Sequence, residues 1–276
     1  MLIEAPAKLN LCLYLGPRRP DGLHRLCSLF EPITLADVIE VHEAGEDSVE
    51  CPGVDEPNLA ADALRGLRER GWSGPPLSVR IQKRIPVAAG LGGGSADAAA
   101  ILRLGAEEVG DLDELAAEIG ADVPSQIKPA LALVEGAGEK VRRLPDPRAH
   151  AFCLLPGDGG LATRDVFAEA DRQGLGREAS ELDDLAERLA EAAGSGAGPL
   201  DYAELLVNDL EPAAAALRPE IHEALDALRG AGATTALISG SGPTAFGIFE
   251  NRAGAESAAA RTGRPDAIVC ESGVPA

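Results

Sequence analysis

Apolar and polar side chains alternate along residues 2–15, interrupted only by Lys8 and Asn10. A period of two predicts a strand, and it sets both of those polar side chains on one face. Arg18, Arg19, Pro20, Asp21 and Gly22 predict a tight turn, with His24 in the loop beyond it. Alternation returns over 29–41 and 47–51, predicting further strands. Residues 58–70 then change period, with apolar positions at helical spacing behind Asn58, a good helix cap.

The most informative stretch runs from Leu77 to Arg103. Leu77, Val79 and Ile81 alternate with Ser78, Arg80 and Gln82, a half-buried strand that Pro86 ends. Gly90, Gly92, Gly93 and Gly94 follow, a loop whose backbone can approach a ligand closely because it carries almost no Cβ atoms. Ser95 as a cap and Asp97 in an acidic first turn then open an alanine-rich helix. A flexible turn is one reading of such a loop. Glycines feeding a helix N-terminus also present unpaired N–H donors and the positive end of the helix dipole, which suits a polyphosphate. No lysine follows the glycines, so the loop is not of the GxxxxGK type, and it misses the dinucleotide fingerprint at Ser95. Gly240 to Ala245 does fit GxGxxA, but a strand, not a helix, is predicted after it.

Downstream, 111–119 reads as a helix, 120–124 as a compact turn, and 130–134 with 140–144 as a hairpin. A strand at 150–155 leads into Gly157-Asp158-Gly159-Gly160, a candidate hinge. Helices are predicted over 163–172 and 178–193, and from the cap around Asn208 to 228. Strands at 234–238, 245–249 and 266–270, with a helix at 255–261, complete a mixed antiparallel α+β half. Taken locally, Asp122 is a turn or cap residue, His24 a surface histidine, and Lys8 and Asn10 the face of an edge strand.

The 276 residues are 45% apolar, enough for one large or two ordinary domains. A net charge of −20 leaves no basic groove, which argues against nucleic acid as a partner. Aromatics are only 3%, so platforms for stacking a base are scarce. Any polyanion must be held locally, by backbone amides and a metal. Five widely spaced cysteines without a CxxC pair fit thiols in a reducing compartment. No apolar run reaches the roughly 18 residues that span a bilayer, so a cytoplasmic protein without a membrane partner is expected.

The motifs APAKLNL, IPVAAGLGGGSADAAA, GADVP, VNDLEP and ISGSGPTAF, together with Pro20-Asp21-Gly22-Leu23-His24, cover essentially the whole chain. In order and spacing it resembles the GHMP small-molecule kinases, most closely the branch that acts on a cytidine-diphosphate-linked methylerythritol. The resemblance implies an α+β, two-domain fold. An ATP-binding and catalytic domain over 1–150, like domain 2 of ribosomal protein S5, would precede a ferredoxin-like domain over 151–276.

It also implies transfer of the γ-phosphoryl group of ATP to the 2-hydroxyl of that acceptor. Asp122 would be the general base and Lys8 its partner. ATP would be held by Lys83, Pro86, Val87, Ala88, Ala89, Gly90, Leu91, Gly92, Gly93, Gly94, Ser95 and Ala96, with Asn58 and Leu59 near the adenine. Ser95 would lie nearest a phosphate-borne Mg²⁺, and Asn10, His24 and Thr163 would contact the acceptor. Either a monomer or a homodimer fits.

The chain departs from the pattern at Leu23, where the family usually has a tyrosine that can stack on cytosine, and at Ser125-Gln126-Ile127-Lys128-Pro129 after GADVP. The expectation is that cytidine binds more weakly or rests against aliphatic side chains. A homoserine, mevalonate-type or sugar kinase, or a non-catalytic nucleotide-binding relative, are the other readings.

Overall fold

The computed structural model describes residues 1–54 and 58–275. Its frame is one long hairpin, β1 (Leu2–Arg18) antiparallel to β2 (His24–Glu43), turned at Gly22, whose φ of +86° suits a residue without a Cβ. Both strands are longer than alternation alone indicated, because each completes the other's backbone hydrogen bonds to the turn. His24 is therefore the first residue of β2 and not part of a loop.

β3 (Ser48–Glu50) lies parallel to β4 (Leu77–Gln82), and β4 pairs with the second edge of β2 over residues 38–43. β5 (Ala132–Gly136) pairs with the same edge of β2 over 26–30, and β6 (Lys140–Arg143) lies beside β5. Four helices cover this sheet: α1 (Leu59–Glu69), α2 (Gly93–Leu102), α3 (Leu112–Ile119) and α4 (Val123–Ile127). Leu64 and Leu67 of α1, Ile101 and Leu102 of α2, and Val79 and Ile81 of β4 share one aliphatic core. Asn58 caps α1 as its sequence indicated, its side chain accepting from the Ala60 N–H at 2.9 Å.

Two local expectations change. Gly92, at φ +68°, caps α2, so the helix starts at Gly93 and Ser95 sits inside its first turn instead of capping it. The residues after Asp122 form the short helix α4 where a turn alone was expected, with Pro124 near its start, where its missing N–H costs no helical hydrogen bond.

The remaining elements are β7 (Ala151–Leu155), α5 (Thr163–Gln173), α6 (Ala179–Gly194), α7 (Glu211–Leu217), α8 (Glu220–Gly230), β8 (Thr235–Ile238), β9 (Ala245–Phe249), α9 (Arg252–Thr262) and β10 (Ile268–Glu271). They build an antiparallel sheet in the order β10-β7-β9-β8, the ferredoxin-like arrangement in which the first strand lies between the last and the third.

The two halves share a core. Leu9, Leu11 and Leu29 of the hairpin pack with Phe152, Phe246 and Leu189. The Leu13 N–H donates to the Val207 carbonyl at 2.8 Å, and the Asp209 N–H donates to the Leu13 carbonyl at 2.8 Å. No helix among the described residues is long and apolar enough to cross a membrane.

Candidate active site

β1 carries Lys8 into the seam between the halves, where it is 5% exposed. A buried ammonium needs partners. Lys8 Nζ lies 3.1 Å from Asp122 Oδ2, donates to Asn10 Oδ1 at 2.5 Å, and sits 4.5 Å from the centre of the Phe30 ring. Asn10 is fixed in turn: its Nδ2 donates to Ser28 Oγ at 3.0 Å and its backbone N–H to Ser239 Oγ at 3.2 Å. Asp122 stands at the start of α4, yet its carboxylate caps nothing and instead faces Lys8. The lysine and carboxylate singled out from sequence thus meet at the floor of a pocket of about 810 Å³.

The two glycine turns meet beside them. Ser239 Oγ donates to the Gly90 carbonyl at 2.9 Å, and a Cβ on Gly90 would stand 2.2 Å from the Ser239 carbonyl oxygen. A Cβ on Gly240 would lie 3.8 Å from Lys8 Nζ, and one on Gly92 would lie 3.0 Å from Lys8 Cε. The GxGxxA match near the C-terminus is therefore not a dinucleotide loop; it is the wall against which the first glycine loop closes. The N-terminus of α2 opens here without a side-chain cap, so its first N–H groups remain donors for an anion.

Several loop residues can serve a nucleotide only through their backbone. Ala89, Leu91 and Ala96 are buried in the apolar core, while Val87 is exposed. Leu59 packs towards the start of α2, its Cδ1 3.7 Å from where a Gly94 Cβ would be. Lys83 is bound up within the protein: Nζ contacts Asp37 Oδ2 and lies 2.8 Å from Asp97 Oδ2, while Asp37 Oδ1 also accepts from the Ile85 N–H at 2.9 Å. Burial pushes the Asp97 carboxyl up to about 7, with the Lys83 ammonium opposing the rise. This trio ties the end of β4 to α2 beneath the glycine loop. Among the described residues no group of three or more His, Cys, Asp or Glu side chains is arranged to hold a metal by itself.

At the other end of the pocket, His24 Nδ1 donates to the Gly16 carbonyl at 3.0 Å, and Nε2 lies 3.0 Å from Asp171 Oδ1. Thr163 Oγ1 is 3.0 Å from Ser241 Oγ in the second glycine turn. Leu23 lines the pocket, but so does Phe167, whose ring centre is 5.6 Å from that of His24. The pocket therefore has an aromatic face, supplied from α5, beside the aliphatic Leu23. Only the i, i+4 spacing of Thr163 and Phe167 could have flagged it. Of the residues named from sequence, Lys8, Asn10, His24, Gly90, Gly92, Asp122 and Thr163 line this one pocket.

A buried cation and a carboxylate at an anion-binding helix end, reached through a pocket with room for a second substrate, define a phosphotransferase site. The chain matches the family models described as GHMP kinases N terminal domain over residues 58–128 and GHMP kinases C terminal over 154–264. It belongs to the GHMP kinases, enzymes that use ATP. The chain is 40% identical to a 4-diphosphocytidyl-2-C-methyl-D-erythritol kinase of Anaeromyxobacter sp. (strain Fw109-5), over 94% of this chain and 84% of the relative. It is 37% identical to the kinase of the same name from Streptomyces avermitilis, over 93% and 90%. A crystal structure of 4-(cytidine 5'-diphospho)-2C-methyl-D-erythritol kinase superposes with a TM-score of 0.81 at 33% identity, covering 99% of both chains. Homoserine kinase from Cytophaga hutchinsonii shares the fold, with a TM-score of 0.71 at 19% identity over 99% of this chain and 94% of its own.

Proposed function

We propose that this chain transfers the γ-phosphoryl group of ATP to the 2-hydroxyl of 4-diphosphocytidyl-2-C-methyl-D-erythritol. The observation that carries the chemistry is the 3.1 Å Lys8–Asp122 pair at the junction of the two glycine turns. The acceptor's identity rests on the relatives' likeness over nearly the whole chain, and the aromatic and polar far end of the pocket supports it.

In the reaction the acceptor oxygen attacks the γ-phosphorus, its proton passes to Asp122, and the bond from that phosphorus to the bridging oxygen breaks, leaving ADP. Lys8 offsets negative charge where the two substrates meet. Residues 86–96 and the start of α2 cradle the phosphates, with Asn58 and Leu59 towards the adenine. Asn10 and Lys83 act by holding Lys8 and the loop in place, since their polar atoms are engaged inside the protein. His24, Thr163 and Phe167 flank the acceptor.

Mg²⁺ would be carried by the phosphates with Ser95 beside it, and when bound it would neutralise charge on the transferring group. The ATP-binding domain would extend to about residue 150 and the ferredoxin-like domain over the rest.

A coupled ADP-release assay across a panel of alcohols tests the reading. Saturable turnover is expected with 4-diphosphocytidyl-2-C-methyl-D-erythritol and background rates with homoserine and mevalonate. Comparable rates on either of those two would overturn the acceptor assignment. Chelating Mg²⁺ in the same assay should stop turnover.

A further inference from the structure

The segment around Asn208 takes no part in phosphoryl transfer, yet it is built into the wall behind the reacting pair. Residues 207–209 run parallel to β1, beside Leu13. Leu13 donates its N–H to the Val207 carbonyl and accepts from the Asp209 N–H, both at 2.8 Å. The Leu15 N–H adds a bond to Asp209 Oδ2 at 3.0 Å. Whatever moves β1 moves this strip.

Asn208 is 4% exposed, and its amide is fully engaged. Nδ2 donates to the Ile238 carbonyl at 2.9 Å and to the Gly240 carbonyl at 2.8 Å, while Oδ1 accepts from the Leu210 N–H at 2.9 Å. An amide nitrogen has two hydrogens, and both go to one short stretch of backbone. The two carbonyls bracket Ser239, where the second glycine turn begins. Bonds within that turn run from the Ser239 N–H to the Thr244 carbonyl at 3.0 Å and from the Gly242 N–H to the Ser239 carbonyl at 2.9 Å. They give the turn its shape without setting its distance from β1.

That distance matters because Ser239 Oγ meets both the Asn10 N–H and the Gly90 carbonyl. Asn10 in turn holds Lys8 Nζ, and a Cβ on Gly240 would lie 3.1 Å from Asn10 Oδ1. The path closes on itself: β1, the strip beside it, the Asn208 amide, Ser239, and β1 again at Asn10.

Resting on the reaction proposed above, we infer that Asn208 is a positioning residue for it: the amide fixes the second glycine turn at the distance where Ser239 seats Asn10, and with it Lys8, against the phosphate loop. Asn208 itself lies outside the pocket lining. An error of about 1 Å in such a placement can cost ~10²-fold in rate.

The test compares initial rates on 4-diphosphocytidyl-2-C-methyl-D-erythritol for the wild type, Asn208→Asp, Asn208→Ala, Ser239→Ala and the double variant Asn208→Ala with Ser239→Ala. Asn208→Asp keeps the shape and the acceptor for Leu210 but sets a carboxylate against two carbonyl oxygens. Each single variant should lose ~10–100-fold in kcat, with KM for ATP raised because Gly90 loses its anchor. The double variant should fall little below the worse single one, since residues acting along one route are not additive. Fully multiplied losses would mean that Asn208 acts apart from the turn, and overturn the inference. Arg177→Ala separates placement from stability. It removes the ion pair to Asp209, at 2.6 and 2.8 Å, but leaves the amide in place, so the urea midpoint should drop with kcat kept. A kcat that falls in step with the midpoint there as well would overturn the inference. Ser239→Ala leaves every Asn208 bond intact, so near-wild-type kcat in it overturns the inference even where the Asn208 variants do not fold. If the wild type turns over no acceptor, the acceptor assignment has failed instead. Calorimetric titration with ATP then decides the role of Asn208: weaker binding in Asn208→Ala and Ser239→Ala is expected, and an unchanged Kd in both overturns it.

Discussion

Asp122 and Lys8 face each other because β1, β2, the two glycine turns and α4 together hold them there, and substitutions at and around the pair differ in their signatures. Asp122→Asn keeps the shape but removes the proton acceptor, so kcat should fall ~10²–10⁴-fold with KM for ATP little changed, read from initial rates. Near-wild-type turnover would remove Asp122 as the base. Gln126 gives the opposite kind of prediction. It is 2% exposed, its Nε2 has no hydrogen-bond partner, and that atom lies 3.5 Å from where a Gly92 Cβ would stand. A buried donor left unpaired costs about 1–3 kcal/mol, so Gln126→Leu should hold or raise the urea unfolding midpoint. A clear drop would show that the amide has a partner in solution. Single residues were the least legible level in the sequence. Lys8 and Asp122 could be paired only through a family likeness, since 114 positions separate them. Asp37 and Asp97, which engage Lys83, had no local signal linking them at all.

Among elements, the glycine loop and the helix after it were readable because both depend on backbone freedom, which composition displays directly. The start of the helix was misplaced. Sequence favours the hydroxyl of Ser95 as a cap, whereas the chain turns at Gly92 because a left-handed residue there brings the helix end up against Lys8. The second glycine turn was read only as a failed dinucleotide loop, since its true partner, Gly90, lies 150 residues away from Gly240. A pair of substitutions separates conformational strain from crowding. Gly22→Ala, at φ +86° with nothing within 4 Å of a new Cβ, should lose about 1 kcal/mol in chemical denaturation, strain alone. Gly90→Ala, at φ +78°, drives its Cβ into the backbone at Ser239 and should lose about 2 kcal/mol or more, with ATP affinity falling as well. Similar losses at the two sites would mean that the turns are not in contact.

At the scale of the molecule, the sequence conveyed two halves but not the seam between them. His150, at the entry to β7, lies 3.0 Å through Nε2 from Glu31 Oε1 of β2, and Ser272 near the C-terminus contacts the same oxygen. Burial alone would lower the His150 pKa, but the Glu31 carboxylate outweighs it and holds the imidazole above its usual value. A histidine raised in the folded state adds stability that is complete below its unfolded value, about 6.5, and fades as pH rises through the higher folded value. The unfolding midpoint should therefore decline from about pH 6.5 upward, and His150→Gln should flatten that decline. A wild-type midpoint constant through this window would show that the pair does not hold the halves together.

The long first hairpin has a further consequence, for synthesis. Its first strand leaves the ribosome early, but Asn10 is anchored by Ser239, Leu13 bonds with Val207 and Asp209, and the Gly273 N–H donates to the Pro32 carbonyl. β1 finds its first partner in β2 at once, whereas the wall that positions its polar side chains comes from the segment around Ser239, so chains cut before that segment should lack a working centre although they contain both Lys8 and Asp122.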